Sequence, residues 1–583
     1  MFDKVLVANR GEIAIRVIRA CHQLGIQTVA VYAEDDRESL HVKLAQEAYL
    51  LKGQQLAETY LNISAILDIA YRTNAQAIHP GYGFLSENAD FAQACEQAGV
   101  VFIGPKSDVI RQMGSKIGAR HIMDKAGVPI TPGSPPLENF EEASQWAEKI
   151  HYPVLLKASA GGGGRGMKKV MQADELQAAF EAAKRESLSY FGDGTVYLEK
   201  LVQQPRHIEV QILGDTHGNV IHLGERDCSV QRRNQKLVEE SPAPHLPAEV
   251  RNTVLEAAVK GAKALGYTGA GTFEFVVENN RDVYFMEVNT RLQVEHPVTE
   301  MVTGVDLVAE QLKIAAGQPM SYQQEQIHFT GHAIECRITA EDAHLNFRPV
   351  AGQIGKLSEP HGPWVRVDSM LQAQYAMPQS YDSMVAKLIC WGISREAAIG
   401  RLKQALSEYQ IEGLTTLIPF YQWICQQPDF VKGHYDTGFI AAHFKPEMIA
   451  PAQPGDLEPL MPASRQTLEM EVNGKRFEVA VYGQLAGSLA NEEAASALRP
   501  RTKKAKKVLD VASQTEILAP MVGTVVKLAV EVGQTIEIGQ VVCVIESMKM
   551  ENDIASARAG KIKHIAISVG EKIQQGSVIL AFE

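Results

Sequence analysis

Pro153-Val154-Leu155-Leu156-Lys157-Ala158-Ser159 is a short apolar run, Gly161-Gly162-Gly163-Gly164-Arg165-Gly166 breaks it, and Met167 to Met171 resumes strand-like composition. Two strands joined by a glycine-rich connection are expected. Consecutive glycines lack Cβ atoms, so their N–H groups can close onto phosphate oxygens. A slack hairpin tip is the plain alternative on composition alone. No G-K-[ST] leads into a helix, so the stretch is not a Walker-type loop. It reads instead as a glycine flap between two strands, preceded by Lys157.

Downstream, Phe273-Glu274-Phe275-Val276-Val277 and Tyr284-Phe285-Met286-Glu287-Val288-Asn289 each set a carboxylate inside an apolar strand. A turn over 278–282 joins the two, and Glu287 and Asn289 share a face. Buried carboxylates need compensation, either from salt bridges or from a hard divalent cation. Upstream, Val5 to Ala8 is apolar, Ile13, Val17, Ile18, Cys21 and Leu24 recur at helical spacing, and Thr28 to Tyr32 is again apolar. That is a βαβ unit, and a parallel sheet is expected through about Pro105. The first turn, Asn9 to Ala14, lacks G-x-G-x-x-G, which gives NAD or FAD little support. From about 114 to 317 helical and β-rich stretches alternate. His332 to Lys387 is strand-rich, and Arg395 to Ile424 is mostly helical.

At 583 residues, three or more cores are expected. A net charge of -12 argues against a general nucleic-acid binder. Lys4 to Ala8 already has strand composition, so a secretory leader is not expected, and no apolar run approaches membrane-spanning length. Seven scattered cysteines with no CxxC pair make zinc or a disulfide framework a poor fit and suit a reducing, cytoplasmic location.

The C-terminal segment is a repeat. Ile517 to Glu546 aligns with Ile554 to Glu583 at one constant offset, pairing Gly523 with Gly560, Gly533 with Gly570 and Gly539 with Gly576. Alternating apolar and polar residues between matched glycines predict a duplicated antiparallel unit closing into a small barrel with a pseudo-two-fold axis. Ser547 to Asp553 lies between the halves, so Lys549 falls on a hairpin tip. A tip lysine is ordinarily a surface charge. Here it sits at the centre of symmetry, with Met548 and Met550 on either side. Before this unit, prolines crowd residues 446–462, Leu468 to Tyr482 reads as a hairpin turning at Asn473-Gly474, and Arg499 to Lys507 is a basic cluster suited to a solvated tether, with docking on an acidic partner as the alternative.

Ala519-Pro520-Met521 with Glu546-Ser547-Met548-Lys549-Met550 resembles biotinyl domains, in which the central lysine receives biotin. The glycine flap preceded by a lysine resembles the ATP-grasp fold. Asn289-Thr290-Arg291-Leu292-Gln293-Val294-Glu295-His296-Pro297, His79 to Gly83, Arg226-Asp227-Cys228 and Gln231-Arg232-Arg233 resemble biotin carboxylase. The chain is therefore similar to the alpha subunits of biotin-dependent acyl-CoA carboxylases, in which carboxylase and carrier are fused. The fold class implied is α/β and multidomain. A pre-ATP-grasp domain spans 1–113 and an ATP-grasp domain 114–330, with a lid at about 131–203. A carboxylase C-terminal domain spans 331–445, a linker with a short β-hairpin 446–512, and an all-β biotinyl barrel 513–583.

The resemblance also implies roles. Lys116, Lys157, Glu199, His207 and Gln231, the backbone around Lys200 and Leu201, and the lid glycines Gly162, Gly163, Gly164 and Gly166 would hold ATP. Asn234 would reach the ribose, although the family often has histidine there. Glu274, Glu287 and Asn289 would hold Mg²⁺ or Mn²⁺. Lys236, Arg291, Gln293 and Val294 would hold bicarbonate, and Glu295 would remove its proton. Arg337 would stabilise the enolate-like oxygen of biotin, with Tyr82 packed nearby. The product would be carboxybiotin on Lys549, delivered to a separate carboxyltransferase (beta) subunit. The acceptor would be acetyl-CoA or propionyl-CoA, which points to fatty acid biosynthesis. Biotin protein ligase is a further expected partner. Arg16 and Asp382 match positions tied to subunit pairing, so a homodimeric carboxylase core is expected. A pyruvate carboxylase subunit is the alternative, and a non-catalytic carrier or scaffold is a third reading.

Overall fold

The computed structural model describes residues 1–159, 167–378, 380–450, 465–472, 475–482, 516–547, 550–574 and 576–583. The chain divides into two compact units, Met1–Gln453 and Pro454–Glu583.

The first unit opens with the expected βαβ. Strand β1 (Lys4–Val7), helix α1 (Gly11–Gln23) and β2 (Gln27–Tyr32) lead into β3 (Glu47–Leu50), β4 (Ala77–His79) and β5 (Val101–Phe102). They form a parallel sheet in the order β3-β2-β1-β4-β5. Ile13, Ala14, Val17, Ile18 and Cys21 lie on the buried face of α1. At the carboxyl ends of β1 and β4, Asn9 Nδ2 donates to Pro80 O (2.7 Å) and Tyr82 O (2.8 Å). Gly81 there has φ +62°, and a Cβ would lie 2.9 Å from Asn9 Nδ2, so a side chain is excluded. Crevices at the carboxyl ends of parallel strands are where such sheets bind ligands.

The segment expected as a lid contains its own three-stranded antiparallel sheet. It comprises β6 (Val154–Ala158), β7 (Met167–Val170) and β8 (Val196–Lys200), in the order β7-β6-β8. Helices Phe140–Ile150 and Leu176–Phe191 contribute Ala143, Ala147, Phe180 and Ala183 to a separate core with Val154, Leu156 and Leu198.

The largest sheet has eight strands: β9 (Arg206–Gly214), β10 (Val220–Arg232), β11 (Gln235–Ser241), β12 (Gly269–Glu278), β13 (Asp282–Asn289), β14 (His332–Thr339), Val365–Ser369 and Met384–Gly392. The order is β13-β12-β9-β10-β11-β14, then Met384–Gly392 and Val365–Ser369, with every pairing antiparallel. The sheet is continuous across position 330. Helix Ala248–Ala264 packs Val254 and Ala258 against Ile208 and Val210. Helix His296–Thr303 packs Val298 and Val302 against Ala333 and Ile389.

In the second unit, Arg465–Val472 and Lys475–Tyr482 pair as a hairpin that starts three residues earlier than expected; Asn473 and Gly474 are outside the described residues. The carrier segment forms two four-stranded sheets. One is ordered Glu516–Leu518, Val578–Phe582, Gly560–Ile565, Thr535–Ile536. The other is ordered Met550–Ala555, Val541–Ser547, Gly523–Leu528, Lys572–Ile573. The repeat offset converts one order into the other, so each sheet mixes strands from both halves. Matched positions are buried together: Val525 with Ile562, Ile536 with Ile573, Val542 with Ile579 and Cys543 with Leu580. Gly533 and Gly570 both have φ +87°, and Gly539 and Gly576 have +84° and +86°. Ser547 pairs with Met550 at the hairpin end, and Met548 and Lys549 lie outside the described residues.

All seven cysteines are buried and free. Among the described residues no helix is long and apolar enough to cross a membrane.

Candidate active site

The large sheet carries a buried polar layer on one face. Along β9, His207, Glu209 and Gln211 alternate with Ile208, Val210 and Ile212, and all six are buried. Register sets Glu209 directly opposite Glu274 on β12 and Arg226 on β10. Arg226 is wholly buried. It donates from Nε to Glu209 Oε1 (2.5 Å), from Nη1 to Gln211 and Thr299, and from Nη2 to Thr272. Lys236, on β11, completes the layer. Its Nζ lies 2.5 Å from Glu209 Oε2, 2.9 Å from Glu274 Oε1 and 2.7 Å from Glu295 Oε1. An ammonium has three donors, and each one here meets a carboxylate.

Glu295 is the residue capping helix His296–Thr303 and has no exposed surface. Its Oε2 accepts from Arg337 Nη2 (2.8 Å), while Arg337 Nε donates to Glu239 Oε1 (2.6 Å). Burial pushes the Glu295 carboxyl up, but Lys236, Arg337 and Arg226 outweigh it and hold it well below the usual range. The positive end of the helix dipole acts in the same direction. Glu274 behaves alike: burial pushes it up, and Lys236 and His207, whose Nε2 is 2.9 Å away, hold it down. Glu239 is pushed up to about 7 by burial, in spite of Arg337.

Glu274 and Glu287 are direct partners across β12 and β13. Asn289 Nδ2 donates to Glu274 Oε1 (2.7 Å), and its Oδ1 accepts from Arg291 Nη2 (3.2 Å). Glu287 is exposed and has no hydrogen-bond partner among the described residues. Desolvation, then the charge of Glu274, hold its carboxyl above the usual range, with Lys116 opposing. Two adjacent carboxylates and an amide oxygen, one carboxylate unpartnered, make a hard donor set that fits Mg²⁺ or Mn²⁺. Two other groups, His207-Glu209-Glu274 and Glu209-Cys228-Glu295, also bring potential ligand atoms within 4.8 Å of one another. Their oxygens are engaged by Lys236 and Arg226, so they fit a salt-bridged layer better than a metal.

Facing this layer, Lys157 Nζ lies 2.5 Å from Glu199 Oε2, and Arg120 Nη1 lies 3.0 Å from Glu199 Oε1. Burial and then the charge of Lys157 push Lys116 down, which places two ammonium groups where a polyphosphate would relieve their repulsion. The N–H groups of Lys200 and Leu201 donate to Pro132 O and Pro153 O and tie the base of the lid. Gln231 is buried opposite Lys236. Asn234 sits in the exposed two-residue turn between β10 and β11, where Arg233 and Asn234 have φ +49° and +65°. Asparagine tolerates that left-handed geometry. Gly162, Gly163, Gly164, Gly166 and Lys549 are outside the described residues.

Between the two clusters runs the segment 290–295. Arg291 donates from Nε to Glu87 Oε2 (2.9 Å) and from Nη1 to Gln293 Oε1 (2.9 Å). Thr290 N donates to Glu87 Oε1 (3.1 Å), and Gln293 Nε2 to Glu274 Oε1 (3.1 Å). Val294 O accepts from Lys387 Nζ (2.9 Å). The Tyr82 hydroxyl is buried and unpartnered among the described residues. Arg16 is engaged by Glu300 and Asp306 within the chain.

Glu209, Glu239, Glu87 and Lys387 were not singled out in the sequence. For Glu209 a signal existed: polar residues at every second position of an otherwise apolar strand. Glu87 and Lys387 carry no local signal, since they meet the site from elements distant in sequence.

A parallel N-terminal sheet, a large antiparallel sheet with a paired-carboxylate strand hairpin and a duplicated β carrier together define an ATP-dependent carboxylase that carries its own cofactor domain. The chain belongs to the biotin carboxylase family, in the fused form of acyl-CoA carboxylase alpha subunits. The family "Biotin carboxylase, N-terminal domain" matches residues 1–110, and "Carbamoyl-phosphate synthase L chain, ATP binding domain" matches 115–323. "Biotin carboxylase C-terminal domain" matches 335–442, and "Biotin-requiring enzyme" matches 515–582. Biotin carboxylase 1 of Bacillus subtilis is 52% identical over 445 residues, 76% of this chain and 99% of that one. A pyruvate carboxylase subunit of Methanothermobacter thermautotrophicus is 51% identical over 441 residues, 76% of this chain and 90% of that one. The biotin-dependent acyl-coenzyme A carboxylase alpha3 subunit of Mycobacterium leprae is 45% identical over 566 residues, 95% of this chain and 94% of that one. Among solved structures, the biotin carboxylase domain dimer of Hydrogenobacter thermophilus 2-oxoglutarate carboxylase, in complex with MgADP, ADP and bicarbonate, superposes with a TM-score of 0.74. It shares 50% identity and covers 78% of this chain and 100% of that one.

Proposed function

We propose that bicarbonate binds among Lys236, Arg291, Gln293 and the Val294 backbone, and that Glu295 accepts its proton. The carrying observation is the position of Glu295, gripped by Lys236 on one oxygen and Arg337 on the other. A carboxylate held so low is ionised at any physiological pH but is a weak base. A bicarbonate anion arriving between the two cations draws them toward itself, and Glu295 gains basicity as they turn away. ATP would be held by Lys116, Lys157, Glu199, His207, Gln231 and Asn234, close to Lys200 and Leu201, with Gly162, Gly163, Gly164 and Gly166 as further proposed contacts. A bicarbonate oxygen attacks the γ-phosphorus and ADP leaves, giving carboxyphosphate. This breaks down beside Arg337 and Tyr82 to CO₂ and phosphate; the phosphate takes the proton of the biotin ureido nitrogen, and that nitrogen bonds the CO₂ carbon. Glu274, Glu287 and Asn289 would hold Mg²⁺ or Mn²⁺, which supplies charge neutralisation of the triphosphate. Arg337, always charged, would stabilise negative charge on the ureido oxygen of biotin as that group takes up CO₂.

Lys549 is the proposed attachment point of biotin, loaded by a biotin protein ligase and unloaded by a separate carboxyltransferase subunit. The proposed acceptor is an acyl-CoA, acetyl- or propionyl-CoA first. Support comes from the alpha3 relative, whose match spans 95% of this chain, whereas the match to the pyruvate carboxylase relative spans 76%. A homodimeric carboxylase core is proposed by analogy with the Hydrogenobacter domain dimer.

The decisive experiment follows ADP release by the purified chain. Release requiring both bicarbonate and biotin supports the reading, and ATP cleavage indifferent to bicarbonate overturns it. Lys549→Ala should lose covalent biotin while still carboxylating free biotin; biotin found by mass spectrometry on another lysine would refute the carrier assignment. Reconstitution with a carboxyltransferase and labelled bicarbonate, comparing acetyl-CoA, propionyl-CoA and pyruvate, decides the acceptor.

A further inference from the structure

Lys387 lies on strand Met384–Gly392 and is completely buried. A buried ammonium needs close partners. Its nearest is the Val294 carbonyl at 2.9 Å. The carboxylates around it stand farther off, Glu12 Oε2 at 3.4 Å and Asp368 Oδ2 at 3.9 Å, and Asp368 is already held by Arg366 at 2.7 Å. The ring of Tyr82 is 5.7 Å away. Lys387 is also the direct cross-strand partner of Arg337. Two adjacent positions on one sheet therefore grip the same residue: Arg337 takes the Glu295 carboxylate, and Lys387 takes the peptide that enters Glu295.

We propose that Lys387 is a positioning residue for the base: by fixing the Val294–Glu295 peptide it sets the direction from which the Glu295 carboxylate meets bicarbonate. The peptide cannot rotate without breaking a bond to a charge that has no solvent to turn to. Arg337 and Lys236 alone fix only the side-chain end. A displacement of about 1 Å at a reacting group costs on the order of 100-fold in rate, so loss of this anchor slows the proton transfer and leaves nucleotide binding intact. The inference rests on Glu295 being the base.

The test uses the full-length protein with bicarbonate, free biotin and ATP. Lys387→Met/Glu12→Gln removes the ammonium together with its facing carboxylate, so no lone charge is left buried. Lys387→Gln, which keeps a donor without the charge, is the second variant should the first not fold. The expected result is a fall in kcat of about tenfold or more per folded molecule, an unchanged KM for ATP, and no further loss when the substitution is added to Glu295→Gln. A purely structural role would lower the folded fraction and leave kcat per folded molecule within about twofold of the parent, which would overturn the proposal. An equal, additive loss in the Glu295→Gln background would overturn it too. Glu295→Gln alone separates the two readings: if that variant keeps full turnover, the base assignment itself has failed.

Discussion

Glu209 and Glu274 stand directly opposite each other on neighbouring antiparallel strands, and the ammonium of Lys236 lies 2.5 Å from one and 2.9 Å from the other. Like charges opposed across a ladder repel. Here the repulsion is offset by a cation placed between them and by Arg226 behind Glu209. The layer is poised: it tolerates two buried carboxylates only while Lys236 is present.

Lys236→Met should therefore destabilise the carboxylase unit, because it leaves three buried carboxylates without their shared partner. Breaking a buried ion pair typically costs about 3–5 kcal/mol. Denaturant unfolding near neutral pH should show a loss of that order, and the loss should shrink in acid as the carboxylates take up protons. An unchanged midpoint would mean that the layer is not held by this lysine.

Glu295→Gln keeps the shape of the side chain and a hydrogen-bond acceptor for Arg337, but it cannot accept a proton. Bicarbonate-dependent ADP release should fall by roughly 10²–10⁴-fold in kcat, with the affinity for ATP, read by nucleotide titration, preserved. Near-normal kcat would remove Glu295 from its assigned role.

Glu87 reaches from the N-terminal α/β region to Thr290 N and Arg291 Nε. Glu87→Ala should free Arg291 to swing. The expectation is a rise of about tenfold in KM for bicarbonate, in keeping with the roughly 1.5–3 kcal/mol carried by a charge-assisted hydrogen bond. KM for ATP should not move. Steady-state kinetics with each substrate varied in turn checks the split.

Glu341, remote from the chemistry, is buried, with Oε1 taking a hydrogen bond from Ser383 Oγ and Oε2 unpartnered among the described residues. Burial pushes its carboxyl from 4.5 up to about 7. The folded state thus keeps a proton that the unfolded chain has already released, so stability falls as pH rises from 4.5 through 7. Glu341→Gln removes that fall. It should be close to neutral near pH 4.5 and stabilising by on the order of 3 kcal/mol above about pH 7. Thermal melting of both proteins across this range is the measurement, and a constant difference between them would contradict it.

Much of the architecture was legible because it is local. The period of α1 puts Ile13, Val17 and Cys21 on one face, and the folded helix buries that face. The carrier repeat was readable from glycines alone, since a left-handed turn at Gly533 demands the same at Gly570. The exchange of strands between the two halves was not readable, because pairing partners depend on how the sheets close.

For the site, strand alternation marked Glu274, Glu287 and Asn289, whereas Lys236, Arg291, Glu295 and Arg337 were named only through their resemblance to biotin carboxylase motifs. The two strands flanking the glycine-rich stretch, Val154–Ala158 and Met167–Val170, follow from local pattern. What only the tertiary structure decided is who neutralises whom. Glu295 and Arg337 meet through strands brought together by the sheet, Glu87 reaches Arg291 from another layer, and Lys387 finds a carbonyl 93 positions away. Alternation along a strand tells which side chains share a face, but the charge balance of a buried layer is set by strand order and register, and these are properties of the whole fold.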